Sequence, residues 1–360
     1  MKIKFNSISE QVAAALREEI RGRTWTRMLP GERQLAARFQ VSRKTLRRAL
    51  SELRAEGLLQ TRVNEASFIH HAQRGPATTT RVALLLPAPL DSVRPFTTLW
   101  INRLMAVLQD RGHYLEILHG TKYFGRQAGR SLTRLTATHP ARCWILANST
   151  RSLQQWFVDA GIPALVSGSA HEGVPIPSVD VDHRALCRHA ASVLLRAGHR
   201  RVALFLDRSG RAGDNESELG FHEGVRSFGG EVKVTAGGPG SIQTPETTIR
   251  QIKKLLALGH PPTGWLLSNS HSYLTALSFL GSAGLKVPQD ISLICRDEEP
   301  FMQFLHPSPA RYAISPSRFA TRLAQALRRI EGGDSSHFSL RIMPDYLPVA
   351  SVGRRPSTYD

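Results

Sequence analysis

At 360 residues the chain exceeds what one core normally serves, so two or more domains are expected. Its 47 Lys and Arg against 29 Asp and Glu give a net charge of +18, of which the share on the larger, later part reads as surface solubility. No apolar run approaches a membrane span, and the opening Met-Lys-Ile-Lys-Phe-Asn-Ser leads into an amphipathic helix rather than a secretory signal. The expectation is therefore a cytoplasmic chain without a membrane partner. Cys143, Cys187 and Cys295 are odd in number and widely separated, so they read as reduced, packed thiols; no cofactor or metal is expected.

Positive charge is densest at the front: residues 1–80 carry 15 Lys and Arg against 7 Asp and Glu. Ser7-Ile8-Ser9-Glu10 has the spacing of a capping box, and Val12, Leu16 and Ile20 give the helix that follows an apolar side. Residues 29–59 then read as two short helices joined by a tight turn. In the second, Leu46, Ala49, Leu50 and Leu53 recur at i, i+3, i+4 and i+7 and form the core face. Arg43, Lys44, Arg47, Ser51 and Arg54 fall away from that stripe. Ser42 is placed to cap the helix and Gly57 to stop it. Such a helix can enter a major groove and hold phosphates and base edges. An ordinary solvated helix would not need its cations gathered on one face.

Leu-Pro-Gly-Glu-Arg-Gln-Leu-Ala, Val-Ser-Arg-Lys-Thr-Leu-Arg-Arg-Ala-Leu and Glu-Gly-Leu resemble the winged helix-turn-helix of the GntR family almost throughout residues 29–59. The resemblance implies DNA contacts from Arg33, Arg43, Lys44, Thr45 and Arg47, to which the free helix face adds Ser42 and Arg48. Gly31 stands where the family often has a capping serine, a change glycine tolerates. The segment 62–69 lacks the glycines usual in the wing and puts Glu65 at its tip. Arg62 is expected to touch the DNA backbone, with the helix reading the bases.

Residues 71–80 read as a linker between a head at 1–70 and a body at 81–353. The body alternates strands and helices. Strands are expected at 81–87, 114–118, 143–147 and 163–167, then, after a crossover at 178–182, at 201–206, 231–235, 264–268 and 291–295. Helices lie between them, one of them at 218–228. The fold class is α/β: a winged helix-turn-helix followed by two doubly wound parallel-sheet lobes, with a ligand cleft at the strand ends. Gly237-Gly238-Pro239-Gly240 is a lone glycine-rich stretch and reads as a flexible connection rather than a phosphate cradle. No nucleophile elbow or metal cluster accompanies it, so an enzyme is not expected.

Ser178-Val179-Asp180-Val181-Asp182, the run 194–203 ending Gly198-His199-Arg200-Arg201-Val202-Ala203, Gly220-Phe221 and the run 283–294 resemble the LacI/GalR effector domain, which is periplasmic-binding-protein-like. A GntR-type head on such a body is similar to the arabinose-repressor architecture. The resemblance implies a dimer that reads an inverted repeat and a small effector, sugar or polyol, held between the lobes. Asn269 falls on a family position that bonds ligand hydroxyls, and Asp297 on the first aspartate of the family's Gly-Phe-Asp-Asp turn; helix capping is the competing role for both. Ser217 stands where the family often has a sugar-binding arginine, inside an acidic loop with Asp214 and Glu216; the readings are a shift toward a polyol, an aminated sugar or another cationic ligand, or a degenerate pocket with solvated loop charges. Phe96 and Ser149 follow strands one and three and are further effector candidates. The reading is a repressor whose operator affinity responds to effector; the alternative is a sugar-binding protein of the periplasmic-binding fold with no DNA role.

Overall fold

The structure, a computed structural model, describes residues 7–21, 29–55, 59–60, 68–69, 80–206, 210–236, 244–334 and 336–355. The chain divides into two compact units, Met1–Thr79 and Thr80–Asp360. In the first, helices α1 (Ile8–Arg21), α2 (Glu32–Arg38) and α3 (Arg43–Ala55) precede the short strands β1 (Leu59–Gln60) and β2 (Phe68–Ile69). The capping box forms: Ser7 N–H donates to the Glu10 carboxylate at 2.8 Å and Glu10 N–H donates to Ser7 Oγ at 3.3 Å. Leu46, Ala49, Leu50 and Leu53 are buried against Val12, Ala13 and Leu16, as their helical spacing predicts. β1 and β2 pair antiparallel, Leu59 with Ile69 and Gln60 with Phe68. The hairpin tip with Arg62 and Glu65, the helix stop at Gly57, residues 71–79 of the linker and Gly237–Gly240 all lie outside the described residues.

The second unit holds two six-stranded sheets among the described residues. The first lobe contains β3 (Thr80–Leu86), α4 (Pro95–Gln109), β4 (His113–His119), α5 (Gly129–Thr138), β5 (Cys143–Ala147), α6 (Arg151–Asp159), β6 (Ala164–Ser167) and β7 (Ser178–Val181). The second contains α7 (His183–Arg196), β8 (Arg201–Leu206), α8 (Ala212–Arg226), β9 (Glu231–Ala236), α9 (Pro245–Leu256), β10 (Gly264–Leu267), α10 (Ser270–Ser282), β11 (Ser292–Cys295) and β12 (Ala310–Ala313). After these, α11 (Pro316–Glu331) and β13 (Ser339–Ile342) return to the first lobe, and β14 (Asp345–Leu347) returns to the second. Strand order is β4-β3-β5-β6-β7-β13 in one sheet and β9-β8-β10-β11-β12-β14 in the other, with only β14 antiparallel. Sheets covered on both faces explain the unbroken apolar strands: β5 and β10 are buried throughout.

Three sequence expectations need correcting. The lobes are not successive along the chain, because the segment 178–182 contains β7, and α11 packs Phe319, Leu323 and Leu327 against Trp100 and Leu104 of the first lobe. Helix α8 begins at Ala212, not at 218. Asp214, Glu216 and Ser217 therefore sit in its first turns rather than in a loop, where acidic groups complement the helix dipole.

The lobe interiors also set a pH response. His199 is buried, paired with Thr263 Oγ1 at 2.8 Å and Ser292 Oγ at 2.9 Å, and burial pushes its pKa down to about 4. Burial shifts His171 and His189 the same way. Each binds a proton more readily when unfolded, so stability is expected to be level above about pH 7 and to fall as pH drops from about 6.5 toward 4. Urea midpoints at pH 7 and pH 5 check this; equal midpoints would contradict it. The three cysteines are free and buried, and burial raises the Cys187 thiol to about 11.

Candidate functional site

The first candidate surface is the outer face of α3. Arg43, Lys44, Arg47 and Arg48 are exposed there, with Arg33 exposed on α2. Ser42 caps α3, its Oγ accepting from Thr45 N–H at 3.1 Å and lying 2.9 Å from Thr45 Oγ1, while Thr45 is half-buried. Cations in the first turn oppose the helix dipole. Glu32 of α2 offsets this: its carboxylate lies 2.9 Å from Arg47 Nε and 3.8 Å from Arg43 Nη2. Sequence reading missed Glu32, although it sits one helix earlier in the same motif.

The second candidate is a cavity of about 310 Å³ between the two lobes of the body. It opens at carboxyl ends of β3, β5, β6 and β11, where such sheets place ligands. Phe96 and Trp100 of α4 form an apolar wall with Phe319, whose ring stacks edge-on to Phe96 at 5.9 Å. Ser149 is buried at the cleft and accepts from Gln154 Nε2 at 2.9 Å. Asp297 and Asp214 both line the cavity. Asn269 is not among the lining residues: it caps α10, its Oδ1 accepting from Ser272 N–H at 2.8 Å. Four of the five expected effector residues thus converge, and the fifth holds a helix end.

Charge in the cleft is arranged across the lobes. Arg94, just before α4, forms an ion pair with Asp297 of the second lobe, and its Nε lies 3.7 Å from Glu299 Oε1. Phe96 N–H donates to Glu299 Oε2 at 3.3 Å. A second bridge joins Arg341 of β13 to Glu216 of α8 at 3.5 Å. Burial would raise the Asp297 carboxyl, but Arg94 and Arg296 beside it outweigh burial and hold it below the usual range. For Glu299 burial prevails over Arg94, and its carboxyl is raised. Asp180 is drawn down against burial by His183, 3.4 Å away, and by Ser169 at 2.6 Å.

At Ser217 the structure supplies a cation by another route. Arg296, from the loop after β11, donates from Nη1 to buried Ser217 Oγ at 2.7 Å and lies 3.8 Å from Asp214. The acidic run is thus faced by a guanidinium, which the sequence around 214–218 does not reveal. Arg94, Arg296 and Glu299 were not singled out as effector contacts. Their signal was position alone: Arg296 directly follows β11, Glu299 lies in the same loop, and Arg94 immediately precedes α4.

Comparison with known proteins agrees with both halves. Residues 8–69 match the family of bacterial regulatory proteins named gntR, and residues 191–347 match a periplasmic binding protein-like domain. The chain is 29% identical over 184 residues to the HTH-type transcriptional regulator AglR of Rhizobium meliloti, covering 48% of each protein. It is 28% identical over 151 residues to the HTH-type transcriptional repressor CytR of Escherichia coli, covering 40% of this chain and 42% of that one. The chain thus spans about half the length of these curated relatives. The arabinose metabolism transcriptional repressor of Geobacillus stearothermophilus is 23% identical, with 76% of each chain covered. Among solved structures, a regulatory protein of the LacI family from Chloroflexus aggregans superposes with a TM-score of 0.65 at 17% identity, covering 76% of this chain and 99% of that one. The transcriptional regulator CelR–cellobiose complex gives 0.66 at 19%, covering 90% and 100%. These likenesses establish the fold of the body. No helix among the described residues is long and apolar enough to cross a membrane. The chain carries a gntR-type helix-turn-helix domain followed by a two-lobed, periplasmic-binding-protein-like domain.

Proposed function

We propose that this protein is a transcriptional regulator, acting as a repressor, whose affinity for a DNA operator is set by a small hydroxylated effector bound between the lobes. The observation that carries the reading is the exposed cationic face of α3 on a helix-turn-helix scaffold. Counterion release at phosphates supplies affinity there, and side chains reaching base edges supply specificity. One head offers few base contacts, so the working unit is a dimer on an inverted repeat. The relatives' names as transcriptional regulators and repressors support this assignment over a binding protein with no DNA role.

Arg33, Ser42, Arg43, Lys44, Thr45, Arg47 and Arg48 are the proposed DNA contacts; Phe96, Ser149, Asp214 and Asp297 are the proposed effector contacts. A ligand that bridges the cleft alters the two-lobe arrangement, and DNA affinity follows only through its differential affinity for the arrangements. Arg43→Ala and Arg47→Ala are each expected to weaken binding to the selected operator by about 1–3 kcal/mol. Gel-shift titration checks this. Unchanged affinity in both variants would remove α3 from the groove.

A further inference from the structure

We infer that Asp297 and Glu299 form a seat for a cationic group, now filled across the cleft by the Arg94 guanidinium, and that the effector is a hydroxylated ligand carrying an ammonium that takes Arg94's place. This rests on the reading of the cleft as the effector site. Glu299 is 2% exposed and lines the cleft, yet its Oε1 has no hydrogen-bond partner among the described residues. Its nearest cation, Arg94 Nε, stands 3.7 Å off, while Oε2 is held by the Phe96 amide.

The neighbouring carboxylates of Asp297, Asp180 and Glu298 have closer partners than Glu299 Oε1 has. Asp180 faces His183 and Glu298 faces Arg311 at 3.0 Å. Arg296 faces Asp214 at 3.8 Å, and Arg94 is paired with Asp297. Arg211 also lines the cleft but is exposed. A buried carboxylate oxygen without a donor is costly, and a cationic donor adds Coulombic attraction to the hydrogen bond that a hydroxyl would supply.

The guanidinium is a poor tenant because its donors lie in one rigid plane. It pairs closely with Asp297 and leaves Glu299 Oε1 unmet. An ammonium is compact, with three rotatable donors, and can serve both carboxylates. The exchange is neutral in charge, since one cation leaves as another enters. Arg94 is already 37% exposed and has solvent to move into. Phe96 and Trp100 add an aromatic wall, suited to the carbon face of a polyol and to a nearby cation.

Matched pairs test this on the full-length protein: glucosamine against glucose, galactosamine against galactose, and glucamine against sorbitol, by calorimetry at about pH 6.5, where such amines are protonated. The aminated member of at least one pair is expected to bind on the order of tenfold tighter than its hydroxyl counterpart. This comparison needs no variant. Glu299→Gln is expected to erase the difference. Arg94→Gln is expected to enlarge it, because the internal competitor is gone. Equal binding within every pair overturns this inference while leaving the cleft reading intact. Weakening of the aminated probe by Arg94→Gln, to the extent seen with Glu299→Gln, also overturns it. Binding of no probe counts against both.

Discussion

Replacing Gly220 with alanine is expected to destabilise the body by about 1–3 kcal/mol or more, with Gly224→Ala in the same direction. A Cβ at Gly220 would stand 2.1 Å from the Arg184 carbonyl oxygen and 2.7 Å from its Cα. At Gly224 it would meet the Arg188 oxygen at 2.6 Å and Ala191 Cβ at 2.8 Å. The two glycines are four apart on α8, so one face of that helix lies backbone to backbone against α7. Neither contact is the far end of a flexible side chain, so a helix must shift. That shift reaches the cleft, because α7 begins at His183 and α8 brings Asp214 to the same cavity. Gly281→Ala in α10 is the control: nothing lies within 4 Å of its Cβ, and a helical Gly→Ala exchange gains about 0.5–1 kcal/mol. Urea denaturation of the three variants checks the contrast. Equal midpoints for Gly220→Ala and Gly281→Ala would contradict the close packing of α7 and α8.

Asp297→Ala is expected to weaken effector binding by about 2–3 kcal/mol, which would nearly abolish the ligand-dependent change in operator affinity. Asp297 stands at the cleft between Arg94 and Arg296, and its loss leaves both cations without their shared carboxylate. Of the ion pairs that Arg94 makes across the cleft, the 3.7 Å approach to Glu299 then remains. Operator titrations with and without effector separate the roles. Loss of operator affinity with effector affinity unchanged would count against the cleft assignment.

What was legible in the sequence is what neighbouring residues determine. The 3.6-residue period of Leu46, Ala49, Leu50 and Leu53, the Ser7–Glu10 box and the unbroken apolar strands each carry their signal within one turn or one strand. The start of α8 was not legible because Gly213 and a run of short polar residues favour loops locally; burial of Ala212 and Ser217, with Arg296 donating to Ser217 Oγ at 2.7 Å, supports those turns from a distant segment. The return of α11 and β13 to the first lobe has no local mark. Amphipathicity shows that Phe319 and Leu323 are buried but not against which lobe. The cleft was half legible: Phe96, Ser149, Asp214 and Asp297 follow from strand ends and motif position. The pairing of Arg94 with Asp297 joins residues 203 positions apart, and Asn269 obeyed the rule for helix caps instead.

DNA reading by α3 is expected to follow what occupies the cleft. Fluorescence anisotropy on a duplex selected from a random pool, at about 0.15 M salt with random competitor, measures both halves at once. Preference for the selected duplex of at least about 10³-fold is expected, shifted by a cleft ligand in the wild type and not in Asp297→Ala. Equal affinity for selected and random duplexes, whatever ligand is added, would contradict it.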